Sequence, residues 1–132
     1  MKRWIKMAAA GVLALALAAC GGAKQENGVK KIEAQKAKEL MDAGGVTVVD
    51  VRTAEEYAEA HVPGAVLVPL DTIGGEAPAE LPDKEAKLLV YCRSGRRSAQ
   101  AAEQLAALGY SDVYDFGGIL DWPYETERGA AQ

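Results

Sequence analysis

Leu88-Leu89-Val90-Tyr91-Cys92-Arg93-Ser94-Gly95-Arg96-Arg97-Ser98 joins four apolar residues to a cysteine and a basic, glycine-containing turn. An apolar run that ends at a polar loop has the character of a buried parallel strand. Ser98-Ala99-Gln100-Ala101-Ala102-Glu103-Gln104-Leu105-Ala106-Ala107-Leu108 continues as a strong helix former, with Ala102, Leu105 and Ala106 on one face and Gly109 as the stop. The turn therefore sits at a helix N-terminus. Unpaired backbone N–H groups and the positive end of the helix dipole gather there, and Arg93, Arg96 and Arg97 add full charges. The expectation is an anion-binding loop around a nucleophile, Cys92, because such surroundings favour the thiolate, the reactive form of cysteine. A buried structural cysteine is the alternative, and the flanking arginines argue against an apolar burial site.

Outward from this stretch, short apolar runs alternate with helical patterns, which implies an α/β fold with a parallel sheet. Lys31-Ile32 is a short first strand candidate, followed by a helix over 33–42 with Ala37, Leu40 and Met41 on one face and Gly44-Gly45 as its end. Residues 46–51 form a strand, and Thr53-Ala54-Glu55-Glu56 has the capping-box spacing for a short helix through Ala60. A strand over 65–68 comes next, then an irregular stretch over 71–83 with Gly74-Gly75, Pro78 and Pro82. Residues 113–116 make a last strand, broken by Gly117-Gly118.

The beginning of the chain has a different character. Lys2, Arg3 and Lys6 precede an uncharged run from Met7 to Ala19, shorter than the roughly 20 apolar residues a spanning helix needs, so residues 1–19 read as a signal peptide. Leu17-Ala18-Ala19-Cys20 resembles the lipobox of bacterial lipoproteins, which makes Cys20 a lipid attachment point. An ordinary signal peptide cleaved nearby is the alternative. Gly21-Gly22-Ala23-Lys24-Gln25-Glu26-Asn27-Gly28 is polar and glycine-rich, so residues 20–29 read as a lipidated N-terminus and tether. The expected location is exported and lipid-anchored, periplasm-facing, with the outer membrane favoured where there is one because Gly21, not aspartate, follows Cys20. The formal charge of −4, more negative once the leader cations are lost, excludes nucleic acid as a natural partner despite the local arginine cluster. With Cys20 acylated, Cys92 is the remaining thiol of two cysteines, and no internal disulfide is expected.

Four elements in register now point to a family. Asp50-Val51-Arg52-Thr53 with Glu55-Glu56-Tyr57, His61-Val62-Pro63-Gly64-Ala65, Tyr91 through Ser98, and Gly117-Gly118 with Trp122 together resemble the single-domain rhodaneses. The resemblance implies a single rhodanese-like α/β domain over 30–124, with a mostly parallel five-stranded sheet flanked by helices on both faces, and a C-terminal tail over 125–132. It also implies a sulfurtransferase. In that family the cysteine at the position of Cys92 takes sulfane sulfur from a donor such as thiosulfate, holds it as a persulfide and passes it to cyanide or a thiol.

The loop suits such a step, since loop N–H groups and arginine stabilise the charge that develops as sulfite leaves. Cys92 is the nucleophile, the N–H groups from Arg93 through Ser94, Gly95, Arg96 and Arg97 to Ser98 form the cradle, and Arg96 or Arg97 binds the anionic donor. His61, the only histidine, reads as structural. Asp50 and Arg52 read as an ion pair bracing the loop, with contact between Arg52 and substrate as the alternative. Gly117, Gly118 and Trp122 read as packing, with a pocket wall the other role for Trp122. No cofactor or metal is expected, and a monomer is the default.

Two other functions follow from the same residues. A membrane-tethered persulfide carrier serving a protein acceptor uses Cys92 without appreciable turnover. A phosphatase or arsenate reductase shares the fold; the phosphatase signature, however, places arginine six positions after the cysteine, where this chain has Ser98, and no carboxylate is placed as a general acid.

Overall fold

In the computed structural model, which describes residues 28–131, strands and helices alternate along the chain. They are β1 (Val29–Lys31), α1 (Ala34–Ala43), β2 (Val46–Asp50), α2 (Ala54–Glu59), β3 (Val66–Leu67), β4 (Lys87–Cys92), α3 (Arg96–Ala107) and β5 (Asp112–Gly118). Short 3-10 turns at Leu70–Thr72 and Ile119–Asp121 follow β3 and β5. The leader, Cys20 and the tether up to residue 27 lie outside the described residues. Among the described residues no helix is long and apolar enough to cross a membrane.

The five strands lie in the order β1-β5-β4-β2-β3, and every pairing is parallel. Alternation along β4 divides the core between two faces. Leu88, Val90 and Cys92 pack with Ala101, Ala102 and Leu105 of α3. Leu89 and Tyr91 pack on the opposite side with Ala37 of α1, Tyr57 of α2, Phe116 and Trp122. A sheet buried on both faces explains why β4 reads as an unbroken apolar run.

The expected elements are present with shifted ends, and β5 runs through Gly117-Gly118, which were expected to break it, because an irregularity in register keeps Gly118 paired with Cys92. β1 covers Val29–Lys31 rather than Lys31-Ile32, because pairing with β5 begins where Val29 meets Val113; Ile32 continues it with one bond to the Asp115 carbonyl, 3.0 Å. The first strand thus starts within the stretch read as tether. α2 carries the expected capping box: Thr53 Oγ1 accepts from Glu56 N–H at 3.1 Å, and Glu56 Oε1 accepts from Thr53 N–H at 3.0 Å. α3 starts at Arg96, two residues before the expected Ser98, because Gly95 at φ 107° turns the backbone directly into the helix.

The C-terminal residues pair back onto the domain. Glu127 and His61 exchange backbone hydrogen bonds of 2.8 Å in an antiparallel bridge, and Gly129 N–H donates to the Ala58 carbonyl at 2.9 Å. Composition gave no sign of this contact, since its partners are backbone groups.

Candidate active site

From β2 the chain moves outward to β3, and from β4 it moves the other way to β5. The carboxyl ends of β2 and β4 therefore flank a topological switch point, the place where open α/β sheets bind ligands. Cys92 ends β4, while Asp50 ends β2 and leads directly into Arg52.

The loop after Cys92 curls over the sulfur. Gly95 N–H donates to Cys92 Sγ at 3.0 Å. The first backbone bond of α3 runs from Ala99 N–H to the Gly95 carbonyl at 3.2 Å, so the N–H groups of Arg96, Arg97 and Ser98 precede any intrahelical acceptor. The arginines predict an unburied Cys92, and the structure corrects this: the residue is 1% exposed. Its place at a core strand's end buries it, while the loop supplies a donor to its sulfur.

Arg93, Ser94 and Arg96 are exposed. Arg97 is half-buried and meets Glu56 end-on, with Nη1 to Oε1 at 2.9 Å and Nη2 to Oε2 at 3.0 Å. The Arg97 guanidinium holds the Glu56 carboxyl down at about 2, so this pair is complete above the ordinary carboxylate range and is lost only as pH falls toward 2. Arg97 is thereby fixed in orientation, whereas Arg93 and Arg96 project freely from the loop.

Ser98 differs from its neighbours. Its hydroxyl donates to Asp115 Oδ1 at 2.8 Å and lies 3.1 Å from the Gly95 carbonyl, and the residue is fully buried. Only its N–H is left for a cradle. Asp115, which sequence reasoning passed over, also accepts from Gly117 N–H at 3.0 Å, while Lys31 Nζ lies 3.3 Å from its second oxygen. One buried carboxylate thus ties the start of α3 to the end of β5. The available signal was a lone acid inside the apolar strand Val113-Tyr114-Asp115-Phe116.

β5 comes against the loop through a bulge. Val90 pairs with Asp115 but Cys92 pairs with Gly118, so β5 carries one extra residue there, and Gly117 adopts φ 92°. A Cβ on Gly118 would stand 2.1 Å from the Arg93 carbonyl oxygen. That same oxygen accepts from Leu120 N–H at 3.1 Å, which pins the loop to the turn after β5.

Behind the loop, Arg52 donates to Asp50 from Nε at 3.0 Å and from Nη2 at 2.7 Å, and Nη2 also reaches the Ala60 carbonyl at 2.6 Å. Tyr91 Oη donates to Asp50 Oδ2 at 2.5 Å and accepts from Val62 N–H at 3.0 Å. Burial, reinforced by the Asp50 charge, pushes the Tyr91 hydroxyl far above its ordinary range, so it stays a donor. The geometry is that of a brace. His61 stacks on Tyr57 with ring centroids 3.7 Å apart, and its Nδ1 lies 2.8 Å from the Tyr57 carbonyl; its contacts are with the scaffold. Trp122 packs against Phe116 and Tyr124.

These features define a class: α/β domains that present a cysteine at a strand end, beneath backbone N–H groups gathered at the start of the next helix. The model for the rhodanese-like domain matches residues 33–124. The thiosulfate sulfurtransferase PspE of Escherichia coli is 41% identical over 73 residues, covering 55% of this chain and 70% of that protein. The thiosulfate sulfurtransferase GlpE of Pseudomonas putida is 35% identical over 108 residues, covering 78% and 96%. A crystal structure of a rhodanese-like domain protein from Staphylococcus aureus superposes with a TM-score of 0.64 at 36% identity, covering 76% of this chain and 99% of that one. The chain belongs to the rhodanese-like family, and relatives named thiosulfate sulfurtransferase support a sulfurtransferase function.

Proposed function

We propose that this protein moves sulfane sulfur from thiosulfate or a similar donor to cyanide or a thiol through a persulfide on Cys92. The observation that carries the proposal is the Gly95 N–H directed at Cys92 Sγ, 3.0 Å away, at the N-terminus of α3. The Cys92 thiolate attacks the outer sulfur of thiosulfate. The S–S bond breaks with its electron pair on the departing sulfite, and Cys92 keeps the outer sulfur as a persulfide. Cyanide then attacks the terminal sulfur, thiocyanate leaves and the thiolate returns. Loop N–H groups hold the sulfonate and the leaving sulfite, and fixed donors of this kind act without reorganising during the step. Arg97 offers a fixed cation to the donor, and Arg93 and Arg96 attract it at the mouth.

Intact-mass measurement of the full chain after incubation with thiosulfate tests the mechanism. Wild type gains one sulfur atom and loses it as thiocyanate forms when cyanide is added; Cys92→Ser gains none. Loading without release to cyanide turns the reading to a persulfide carrier, and failure to load overturns the sulfur chemistry.

The leader motif supports a further part of the proposal, in which the protein is exported and anchored to the membrane through lipid on Cys20. Expressed in a bacterium fed labelled palmitate, the wild-type chain takes up label and Cys20→Ala takes up none. Label on both, or on neither, rejects the anchor.

A further inference from the structure

Asp115 carries a buried charge that the sulfur chemistry does not use. It is 2% exposed, inside β5, and its side chain lies on the sheet face that packs against α3. Burying a carboxylate is costly unless it is well held, and Asp115 is held unevenly. Its Oδ1 accepts from the Ser98 hydroxyl at 2.8 Å and from Gly117 N–H at 3.0 Å. Its Oδ2 accepts no hydrogen bond and meets Lys31 Nζ, 3.3 Å away on an exposed side chain. A carboxylate kept for its ion pair with β1 would turn its hydrogen bonds toward the ammonium group. This one directs both of them at the supports of the Cys92 loop.

Both donors touch Gly95. Ser98 Oγ lies 3.1 Å from the Gly95 carbonyl oxygen, and its single proton goes to Asp115, because charge-assisted bonds are the stronger ones. Gly117 lies against Gly95 from the other side: a Cβ on Gly95 would come within 3.7 Å of Gly117 Cα. The two glycines are both left-handed, with φ 107° and 92°. Glycine populates either hand about equally, so neither conformation holds itself. Asp115 Oδ1 joins the two elements that hold them, and the Gly95 conformation is the one that brings its N–H to Cys92 Sγ.

We propose that Asp115 is a positioning residue for the reaction: by fixing Ser98 and Gly117 it keeps the Gly95 N–H aimed at Cys92 Sγ, and so favours a thiolate that it does not touch. Its effect on turnover rests on the sulfurtransferase reading; its effect on the thiolate does not. The Asp115 charge taken alone acts the other way, since a negative group near a thiol disfavours ionisation. Arg97 of α3 is the cation that interacts with Cys92, and Lys31 of β1 is the one against Asp115. Asparagine and alanine at position 115 are equally uncharged and differ in the acceptor, so comparing them isolates the positioning.

Two measurements on the full chain test this. The rate at which iodoacetamide alkylates Cys92, followed across pH on the peptide that contains it, reads the thiolate without any sulfur chemistry. The midpoint for Asp115→Ala lies about one pH unit above that for Asp115→Asn, the size of one lost hydrogen bond to a charged group. Ser98→Ala, which deletes the link and keeps the carboxylate, moves the midpoint above that of wild type, and it decides the matter if Asp115→Ala does not fold. In thiosulfate-to-cyanide transfer Asp115→Ala lowers kcat/KM about tenfold relative to Asp115→Asn, and Lys31→Ala changes neither readout. Coincident alkylation profiles for the alanine and asparagine variants, an unmoved profile in Ser98→Ala, or a Lys31→Ala shift as large as that of Asp115→Ala overturns the positioning role. The expected alkylation shifts in a chain that loads no sulfur overturn the sulfurtransferase reading instead and leave the positioning role standing.

Discussion

Gly118→Ala lowers kcat/KM for thiosulfate-to-cyanide transfer by at least about a hundredfold, the scale expected when a reacting group is misplaced by about 1 Å. The backbone at Gly118 is extended, with φ −129°, so alanine meets no conformational barrier there and the whole effect is steric. A methyl group placed 2.1 Å from the Arg93 carbonyl oxygen and 2.6 Å from Ser94 Cα has only backbone to push against. The loop must move off β5. That breaks the bond from Leu120 N–H to Arg93 and shifts the Gly95 N–H away from Cys92 Sγ. The strain also costs about 1–3 kcal/mol of stability, as overpacking generally does. Gly74→Ala is the control, since a Cβ there meets nothing within 4 Å. Steady-state kinetics beside urea unfolding of the two variants checks the prediction, and near-wild-type turnover by Gly118→Ala would show that the loop does not depend on this contact.

Asp50→Ala has the largest effect on stability, about 3–5 kcal/mol, because it leaves a buried charge without its partner. Arg52 is 5% exposed and donates to Asp50 from Nε and Nη2; of its side chain's acceptors the Ala60 carbonyl alone would remain. Tyr91 Oη, buried between the Asp50 carboxylate and the Val62 N–H, would lose its acceptor as well. Domains of this size are stable by about 5–15 kcal/mol in total, so the variant sits near the threshold of folding. Thermal unfolding should fall by about 15 °C or more. Asp50→Asn, which keeps an acceptor for Tyr91 and Arg52, should fall between alanine and wild type. Equal stability of wild type and Asp50→Ala in urea would mean that the brace contributes nothing net.

Much of the framework was legible before any coordinates. The Leu88–Tyr91 run, the Thr53–Glu56 capping box and the Gly44 stop after α1 report on interactions within a turn or two of chain, and the structure shows them in their expected elements, whereas Gly117-Gly118 stay inside β5 because Gly118 pairs with Cys92. Cys92 and its arginines were visible for the same reason, since a strand, a turn and a helix contiguous in sequence build the loop. The limits of the elements were less legible. α3 begins at Arg96 because Gly95 is left-handed, and β1 begins at Val29 because β5 offers it a partner.

The alternation of strands and helices, the parallel sheet and the placing of a cysteine at a helix N-terminus are all written in the order of residues along the chain. Packing in space settled which polar group serves which. It gave Arg97 to Glu56 and Tyr91 to Asp50, each 41 positions away, joined Ser98 to Asp115 across 17, and set Gly118 against the Arg93 carbonyl. Periodicity and capping act along a few residues of backbone, whereas a hydrogen bond or a steric contact selects its partner by distance in space, and that distance exists only once the elements have packed.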